Sequence, residues 1–293
     1  MIRTLMFKKL FSYYWLQRIR DHIKKNGFIG FLRNSFTFLN RSFNPKVLGE
    51  MPFAFYFNST RRNLKNFCDN KLEDFDKNSI KSFFNYYLDE SKIDENSIVY
   101  TFGLDDSIGF EESLAKKRGC KILCYDPTEN SVEFFKNYKN EKLFYFPYGI
   151  WTKDEMVKFY KPADDNKLAG GSANNLWGTN TFKEFQCYKL KTLMKMNNHD
   201  KIDVLKMDIE GIAQEVIYDI LEDNIYPNQI CAEFEFSGLE QNLFNKNHLN
   251  EWLNNLSNLI LKMKEKNYIC YHMPRFSNMP YNSIEILFLK KDK

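Results

Sequence analysis

The stretch that decides the fold of this 293-residue chain is IDVLKMDIEGIAQEVI, from Ile202 to Ile217. Its first half is an apolar run that predicts a buried strand, and its second half repeats apolar residues at helical spacing. Lys206, Asp208 and Glu210 interrupt this pattern two residues apart and therefore share one face of the strand. Because burying a charge is costly unless it is paired or used, we expect this strand to end at a functional edge of a sheet.

The chain from residue 97 onward follows the same plan, in which short apolar runs alternate with helical segments. The predicted strands are SIVYTF, KILCYD, KLFYFPYGIW, DVLKMDI, QICAEFEF, YICYHM and SIEILFLKK. Such alternation implies right-handed crossovers and a mostly parallel sheet with helices on both faces. No helix separates the last two predicted strands, so they should pair antiparallel. We therefore predict an α/β fold over residues 97–293, which resembles the class I, Rossmann-like layout of methyltransferases.

Residues 1–96 differ in composition and are predicted to form a separate region that is basic and mainly helical. Residues 1–46 contain ten Lys or Arg residues and one acid, whereas the whole chain has a net charge of +4. Residues 60–92 are predicted to be helical, because the apolar residues of SIKSFFNYYLDE, over residues 79–90, recur at helical spacing behind the N-cap candidate Ser79. The basic arm is expected to contact an anionic membrane surface, the body of the protein or a second subunit in a homodimer.

Composition and local patterns exclude several classes of protein. The six cysteines are scattered without CxxC spacing, which favours buried reduced thiols over a zinc site or a disulfide framework. No apolar run approaches the ~20 residues that a membrane span needs. The early stretch LFSYYWL lacks the small-residue cleavage site of a signal peptide. We therefore expect a cytoplasmic protein, either free or peripheral to the inner face of the membrane.

Candidate ligand-binding residues lie where the predicted strands end, because parallel sheets bind ligands beyond those carboxyl ends. Gly103 follows the first strand, where glycine lets the backbone approach a ligand closely. Asp105 and Asp106 come next and suit an ammonium group, whereas they would repel a pyrophosphate. The GxGxxG fingerprint of NAD or FAD proteins is also missing. Asp126 lies 23 residues after Gly103, the spacing typical of an acid that binds ribose hydroxyls.

Four motifs give the chain a family resemblance. FGLDDSIGFEESLA, YDPTENSVEF, FPYGIW and IDVLKMDIEG occur in the order and at the spacing of the FkbM family of S-adenosylmethionine-dependent methyltransferases, from about Val99 to Phe236. The resemblance implies S-adenosylmethionine as cofactor and O-methylation of sugars or natural products. The candidate cofactor-binding residues are then Phe102, Gly103, Asp105, Asp126, Pro127, Thr128, Gly149, Trp151 and Asp208. Many members have a histidine after the fifth strand where this chain has Glu235, so the acceptor or the proton transfer is expected to differ here.

Methylation of an alcohol needs a base or a metal that removes the hydroxyl proton. The candidate catalytic residues are Lys206, Asp208, Glu210, Glu233 and His272. The carboxylates could instead hold Mg²⁺, an alternative that we do not favour.

The favoured function is O-methylation of a hydroxyl on a sugar or glycan precursor, in capsule or lipopolysaccharide biosynthesis. The alternatives are O-methylation of a small natural product or phospho-group acceptor, and a non-catalytic interaction protein on the same scaffold. The acidic balance of the residues after the arm, and the missing Asp/Asn-Pro-Pro-aromatic signature, argue against nucleic acid as the substrate.

Overall fold

The structure is a computed structural model that describes residue 68 and residues 77–104, 107–161, 172–175, 179–236, 246–272 and 283–291. The basic arm lies outside the described residues, as does Asp105. The predicted helical region is described only at residue 68 and from residue 77 onward.

The described elements alternate between strands and helices along most of the chain. The strands are β1 (Ile80–Phe83), β2 (Tyr86–Asp89), β3 (Ile98–Phe102), β4 (Lys121–Tyr125), β5 (Leu143–Phe146), β6 (Gly149–Ile150), β7 (Glu155–Tyr160), β8 (Phe182–Tyr188), β9 (Val204–Met207), β10 (Gln229–Glu235), β11 (Tyr268–His272) and β12 (Ser283–Lys290). The helices are α1 (Gly109–Arg118), α2 (Glu129–Asn137), α3 (Leu190–Met196), α4 (Ala213–Glu222) and α5 (Lys246–Glu265), with 3₁₀ turns at Lys77–Ser79 and Glu90–Lys92.

The central sheet of the described chain has seven strands in the order β11-β12-β10-β9-β3-β4-β5. The five strands from β10 to β5 run parallel. β12 pairs antiparallel with both β10 and β11. The predicted α/β fold, a mostly parallel sheet of the class I type that ends in an antiparallel pair, is confirmed.

The strands and helices form because their apolar residues match the two faces of this sheet. All four residues of β9 are buried, as expected for a strand covered on both sides. α4 buries Val216, Ile217 and Ile220 on its inner face, and each such side chain contributes about 1.5–3 kcal/mol. Gly119 ends α1 in the left-handed conformation with a φ of 71°, which glycine adopts without steric cost.

The helix predicted over residues 79–90 is wrong, because β1 and β2 form an antiparallel hairpin. Phe83 pairs with Tyr86 across a turn made by Phe84 and Asn85, and Phe84 has a φ of 54°. The buried residues do not follow the helical spacing, since Phe83, Tyr86 and Leu88 are buried whereas Phe84 is half exposed at the turn. A two-residue turn of this kind normally uses glycine or asparagine where φ is positive, so a phenylalanine there gave no signal.

The hairpin shares a core with the central sheet. Phe83, Leu88 and Ile93 belong to the same apolar cluster as Val99 and Val204. The hairpin is therefore packed against the sheet.

A second sheet of three strands, in the order β6-β8-β7, occupies part of the stretch between β5 and β9. β8 pairs parallel with β6 and antiparallel with β7. Neither this sheet nor α3 was expected from the sequence. The reason is that the sheet buries only a small cluster, Val157, Phe159 and Cys187, so its strands lack continuous apolar runs.

The six cysteines are all buried and reduced, in agreement with the prediction from their spacing. None of the described helices combines the length and the apolar character needed to cross a membrane.

Candidate functional site

The candidate site is a cavity of about 290 Å³ at the carboxyl ends of β3, β4 and β9. Nine predicted residues line it: Phe102, Gly103, Asp126, Pro127, Thr128, Gly149, Lys206, Asp208 and Glu210. The sequence did not single out Phe84, Asn85, Tyr86, Leu104, Ser107, Phe110, Tyr125, Ile150, Phe159, Ser172, Ala173, Ile209 and Ile212, which complete the lining. The edge of the sheet that was expected to bind a ligand is thus a concave site.

Gly103 joins two strand ends at one side of the cavity. Its φ is 77°, and its amide donates a hydrogen bond of 3.2 Å to the carbonyl of Tyr125. A Cβ atom at this position would lie 1.6 Å from the carbonyl oxygen of Asp208. The glycine is therefore required by the packing of the loop against the end of β9, in addition to its place in the cavity wall.

Asp126 organises the loops on either side of the cavity. Its Oδ2 accepts a hydrogen bond of 2.8 Å from the amide of Leu104, and its Oδ1 accepts from the amide and the hydroxyl of Thr128 at 2.8 and 2.6 Å. A carboxylate has about four acceptor positions, which makes Asp126 suited to accept from ribose hydroxyls as well as from the protein. The residue thus serves the protein and remains suited to a nucleoside.

Lys206 lies under the floor of the cavity with only 4% of its side chain exposed. Its Nζ donates to the carbonyl of Gly103 at 2.5 Å and lies 3.7 Å from Oδ2 of Asp208. Burial opposes its charge, but the carboxylates of Asp208 and Glu111 outweigh that effect and raise the pKa of Lys206. Lys206 is therefore a buried cation that fixes the Gly103 loop and orients Asp208.

Glu111, on α1, is a buried carboxyl group whose burial no sequence pattern indicates. Neither of its oxygens makes a hydrogen bond of normal geometry within the described chain. Burial raises the pKa of Glu111, and nearby Lys206 acts in the opposite direction. The lysine and the glutamate therefore compensate each other beneath the site.

Glu210 forms the turn that leads from β9 into α4. Its backbone has a φ of 39°, which is unusual for a residue with a side chain. The hydroxyl of Ser172 donates to its carbonyl at 2.5 Å, and the side-chain amide of Asn174 donates to the carbonyl of Gly211 at 3.0 Å. Ser172 and Asn174 therefore hold a strained turn at the cavity.

The carboxyl groups near Asp208 raise one another's pKa values. Burial, the charge of Glu210 and a hydrogen bond with Glu210 raise the pKa of Glu235 well above its usual range. Burial and the carboxylates of Asp208 and Glu285 raise the pKa of Glu233 to about 8. Glu233 and Glu285 are direct cross-strand neighbours on β10 and β12. Protonated carboxyls are therefore expected at neutral pH, with Glu235 donating its proton to Glu210.

Several predicted residues are placed elsewhere or are not described. Glu233 is adjacent to the cavity through Asp208, although it is not among the described residues of the lining. Trp151 packs against the cluster of the small sheet, on the side of Phe159 and Cys187. His272 ends β11, but its side chain lies outside the described part of the structure, as does all of Asp105.

The parallel sheet, the glycine loop and the acid after β4 define a class I methyltransferase. The chain belongs to the FkbM methyltransferase family, since the profile described as the Methyltransferase FkbM domain matches residues 98–270. The methyl donor of this class of enzyme is S-adenosylmethionine. The chain matches no curated protein.

Solved structures of methyltransferases and of an RNA-processing protein are similar to this chain at low identity. Fibrillarin, a pre-rRNA processing protein of Methanococcus jannaschii, is 9% identical with a TM-score of 0.39, over 73% of this chain and 71% of that one. A precorrin-6y C5,15-methyltransferase of Geobacter metallireducens is 7% identical with a TM-score of 0.36, over 69% and 85%. An rRNA methylase of Streptococcus thermophilus is 10% identical with a TM-score of 0.35, over 69% and 91%.

The residues present fit S-adenosylmethionine. Asp126 has the chemistry to bind ribose hydroxyls. The side chain of Asp208 is 37% exposed, and its carboxylate suits the positively charged methionine portion of the cofactor. Among the described residues, no three His, Cys, Asp or Glu side chains are grouped so that they could hold a metal ion.

Proposed function

We propose that this methyltransferase modifies a hydroxyl group of a sugar or glycan precursor. The observation that carries the proposal is the paired carboxyl groups of Glu210 and Glu235, of which Glu210 lines the cavity. A hydroxyl is a weak nucleophile at neutral pH, so its methylation needs a base at this place. A carboxylate that is held by a protonated neighbour is suited to that role.

When bound, S-adenosylmethionine would supply a methyl group for the acceptor oxygen, and the electron pair of the broken carbon–sulfur bond would remain on sulfur. Glu210 accepts the hydroxyl proton of the acceptor. Asp208 holds the positively charged end of the cofactor, and Lys206 keeps Asp208 and the Gly103 carbonyl in place. Positioning of the two reactants supplies much of the rate.

The charge of the cavity favours an uncharged acceptor that carries several hydroxyls. Carboxylates accept hydrogen bonds from hydroxyl groups. Among the described lining residues, Lys206 is the only basic one, and its Nζ already bonds to the protein. An acceptor rich in phosphate would lack cationic partners, so the proposal excludes nucleic acid.

The proposal extends to the setting of the reaction. It assigns the protein to the cytoplasm and to polysaccharide biosynthesis, with residues 97–293 as the methyltransferase domain. It also assigns residues 1–46 the role of an arm for the inner membrane surface or for a second copy of the chain. Their ten basic residues support this role.

The test is to incubate the protein with S-adenosylmethionine and a panel of sugars and nucleotide sugars, and to detect methylated products by mass spectrometry. Glu210→Gln should lower kcat by about 10²–10⁴-fold, because the base is lost, while the Kd of S-adenosylhomocysteine stays unchanged. Glu222→Gln, at the exposed end of α4, is the matched control and should retain full activity. Absence of methylated product from every sugar would overturn the acceptor class, and unchanged turnover of Glu210→Gln would remove Glu210 as the base.

A further inference from the structure

One wall of the cavity is built by residues that precede the matched family segment of residues 98–270. Phe84, Asn85 and Tyr86 of the hairpin formed by β1 and β2 line the cavity together with Lys206 and Asp208. The family segment alone therefore leaves the cavity without this wall.

Tyr86 has an unusual environment for a tyrosine. Only 5% of the residue is exposed, yet its hydroxyl makes no hydrogen bond of normal geometry within the described chain. Its ring lies 5.4 Å from Nζ of Lys206 and makes an edge contact with Phe110 at 5.5 Å. Asp208 is the group placed to accept the proton of this hydroxyl, but no donor within the described chain bonds to its oxygen, so a ligand is expected to supply that donor.

The charges around Tyr86 indicate which ligand group would suit it. Burial and the carboxylates of Asp208 and Glu233 raise the pKa of Tyr86 well above its ordinary value of 10. The phenol therefore stays neutral, and a small turn of its proton toward Asp208 leaves the oxygen lone pairs for a donor. A positively charged hydrogen-bond donor matches both the lone pairs and the surrounding carboxylates.

The hairpin is attached firmly enough to hold Tyr86 in position. The amide of Asp89 donates to Oε1 of Gln229 at 2.8 Å, and Nε2 of Gln229 donates to the carbonyl of Asp89 at 3.0 Å. At the turn, the ring of Phe84 packs closely on Gly109. A Cβ atom on residue 109 would lie 2.8 Å from that ring. A residue on such a support is suited to define a ligand geometry.

We propose that Tyr86 is a cofactor-binding residue, whose phenol oxygen accepts a hydrogen bond from the ammonium group of the methionine portion of S-adenosylmethionine, beside Asp208. The hairpin thereby completes the cofactor site from outside the family segment. This assignment rests on the cofactor alone and is independent of the acceptor.

Three ligands distinguish a contact with the ammonium group from a contact with the sulfonium group. S-adenosylmethionine carries the ammonium and the sulfonium, S-adenosylhomocysteine carries the ammonium only, and 5′-methylthioadenosine carries neither. Tyr86→Phe should weaken S-adenosylmethionine and S-adenosylhomocysteine alike by about 10–150-fold, as expected for a lost hydrogen bond to a charged group. The Kd of 5′-methylthioadenosine, measured by calorimetry or by competition, should change less than about twofold.

The matched control is Tyr87→Phe, the same chemical change at the next residue, whose side chain points to the opposite face of β2. It should leave all three dissociation constants unchanged. Equal weakening of all three ligands by Tyr86→Phe would indicate general damage to the cavity and would overturn the proposal. Weakening of S-adenosylmethionine alone would place the contact at the sulfonium and would also overturn it, as would no change at all. None of these outcomes depends on whether a sugar is methylated.

Discussion

The carbonyl oxygen of Asp208 occupies the space where a side chain on Gly103 would begin, 1.6 Å from the position of a Cβ atom. The two strand ends can meet in this way only if residue 103 is glycine. We expect Gly103→Ala to displace the end of β9 and to abolish measurable binding of S-adenosylhomocysteine in calorimetry. Gly119→Ala is the matched control, since Gly119 also has a positive φ but its nearest atom is Cβ of Glu95 at 3.6 Å. The control should cost about 1–2 kcal/mol of stability and leave cofactor binding intact.

The buried pair of Lys206 and Glu111 leads to a prediction about stability. Lys206→Met leaves Glu111 without a cation, so we expect the free energy of unfolding in urea to fall by about 3–5 kcal/mol. Adding Glu111→Gln should recover part of the loss, because the remaining carboxyl is then removed as well. Lys201→Met is the control, since its ion pair with Asp203 is exposed on the lysine side and should contribute less than about 1 kcal/mol. Equal losses in the two single variants would contradict a special role of the buried pair.

The raised pKa of Glu233 predicts a dependence of stability on pH. In the folded protein Glu233 holds its proton up to a pKa of about 8, whereas the unfolded chain releases it near the ordinary pKa of 4.5. The folded state therefore binds the extra proton between these values, and the free energy of unfolding falls as the pH rises through that window. Glu233→Gln removes this effect while it keeps the shape of the side chain.

Thermal unfolding of Glu233→Gln and of the wild type at several pH values from about 5 to 9 checks this expectation. The difference in Tm in favour of the variant should grow with pH up to about 8 and then level off. Glu184→Gln, at an exposed position of β8, should show no such trend. A difference that stays constant across the range would show that Glu233 is ionised throughout.

The hydrogen bonds of Asp126 predict that an asparagine cannot replace it. Both carboxylate oxygens accept from backbone amides, those of Leu104 and Thr128, and an asparagine must direct an NH₂ group at one of these donors. Asp126→Asn should therefore weaken S-adenosylhomocysteine by at least about tenfold and lower stability by about 1–3 kcal/mol. Asp154→Asn is a matched control away from the cavity, since Asp154 accepts from the amide of Lys189 and the hydroxyl of Thr192. Cofactor affinity should fall only in the first variant.

The sequence was sufficient for the central sheet, because each parallel strand is a mainly apolar run whose carboxyl end can be recognised. The same logic brought Gly103, Asp126, Asp208 and Glu210 to one cavity. The sequence was insufficient for the small sheet, which buries few residues, and for the hairpin, whose turn uses an unexpected residue. The hairpin turn depends on Phe84 at a φ of 54°, a conformation that its residue type disfavours.

Some parts of the site depend on contacts between residues far apart in sequence, which no local pattern contains. Glu111 looks like an ordinary charge on a helix surface, and only the position of Lys206 on β9 explains its burial. Tyr86 could not be assigned to the site because its contacts, with Phe110 and Lys206, join it to other elements. Predicting such residues requires the packing of the hairpin on the sheet.

The six buried thiols can report how often parts of this molecule open to solvent. A thiol reagent can reach these sulfurs only when the surrounding chain moves apart, so the rate of labelling at each cysteine measures how often its neighbourhood opens. Cys124 on β4, Cys231 on β10 and Cys187 in the small sheet sample different regions. Comparing their labelling rates would reveal whether the small sheet opens independently of the large one.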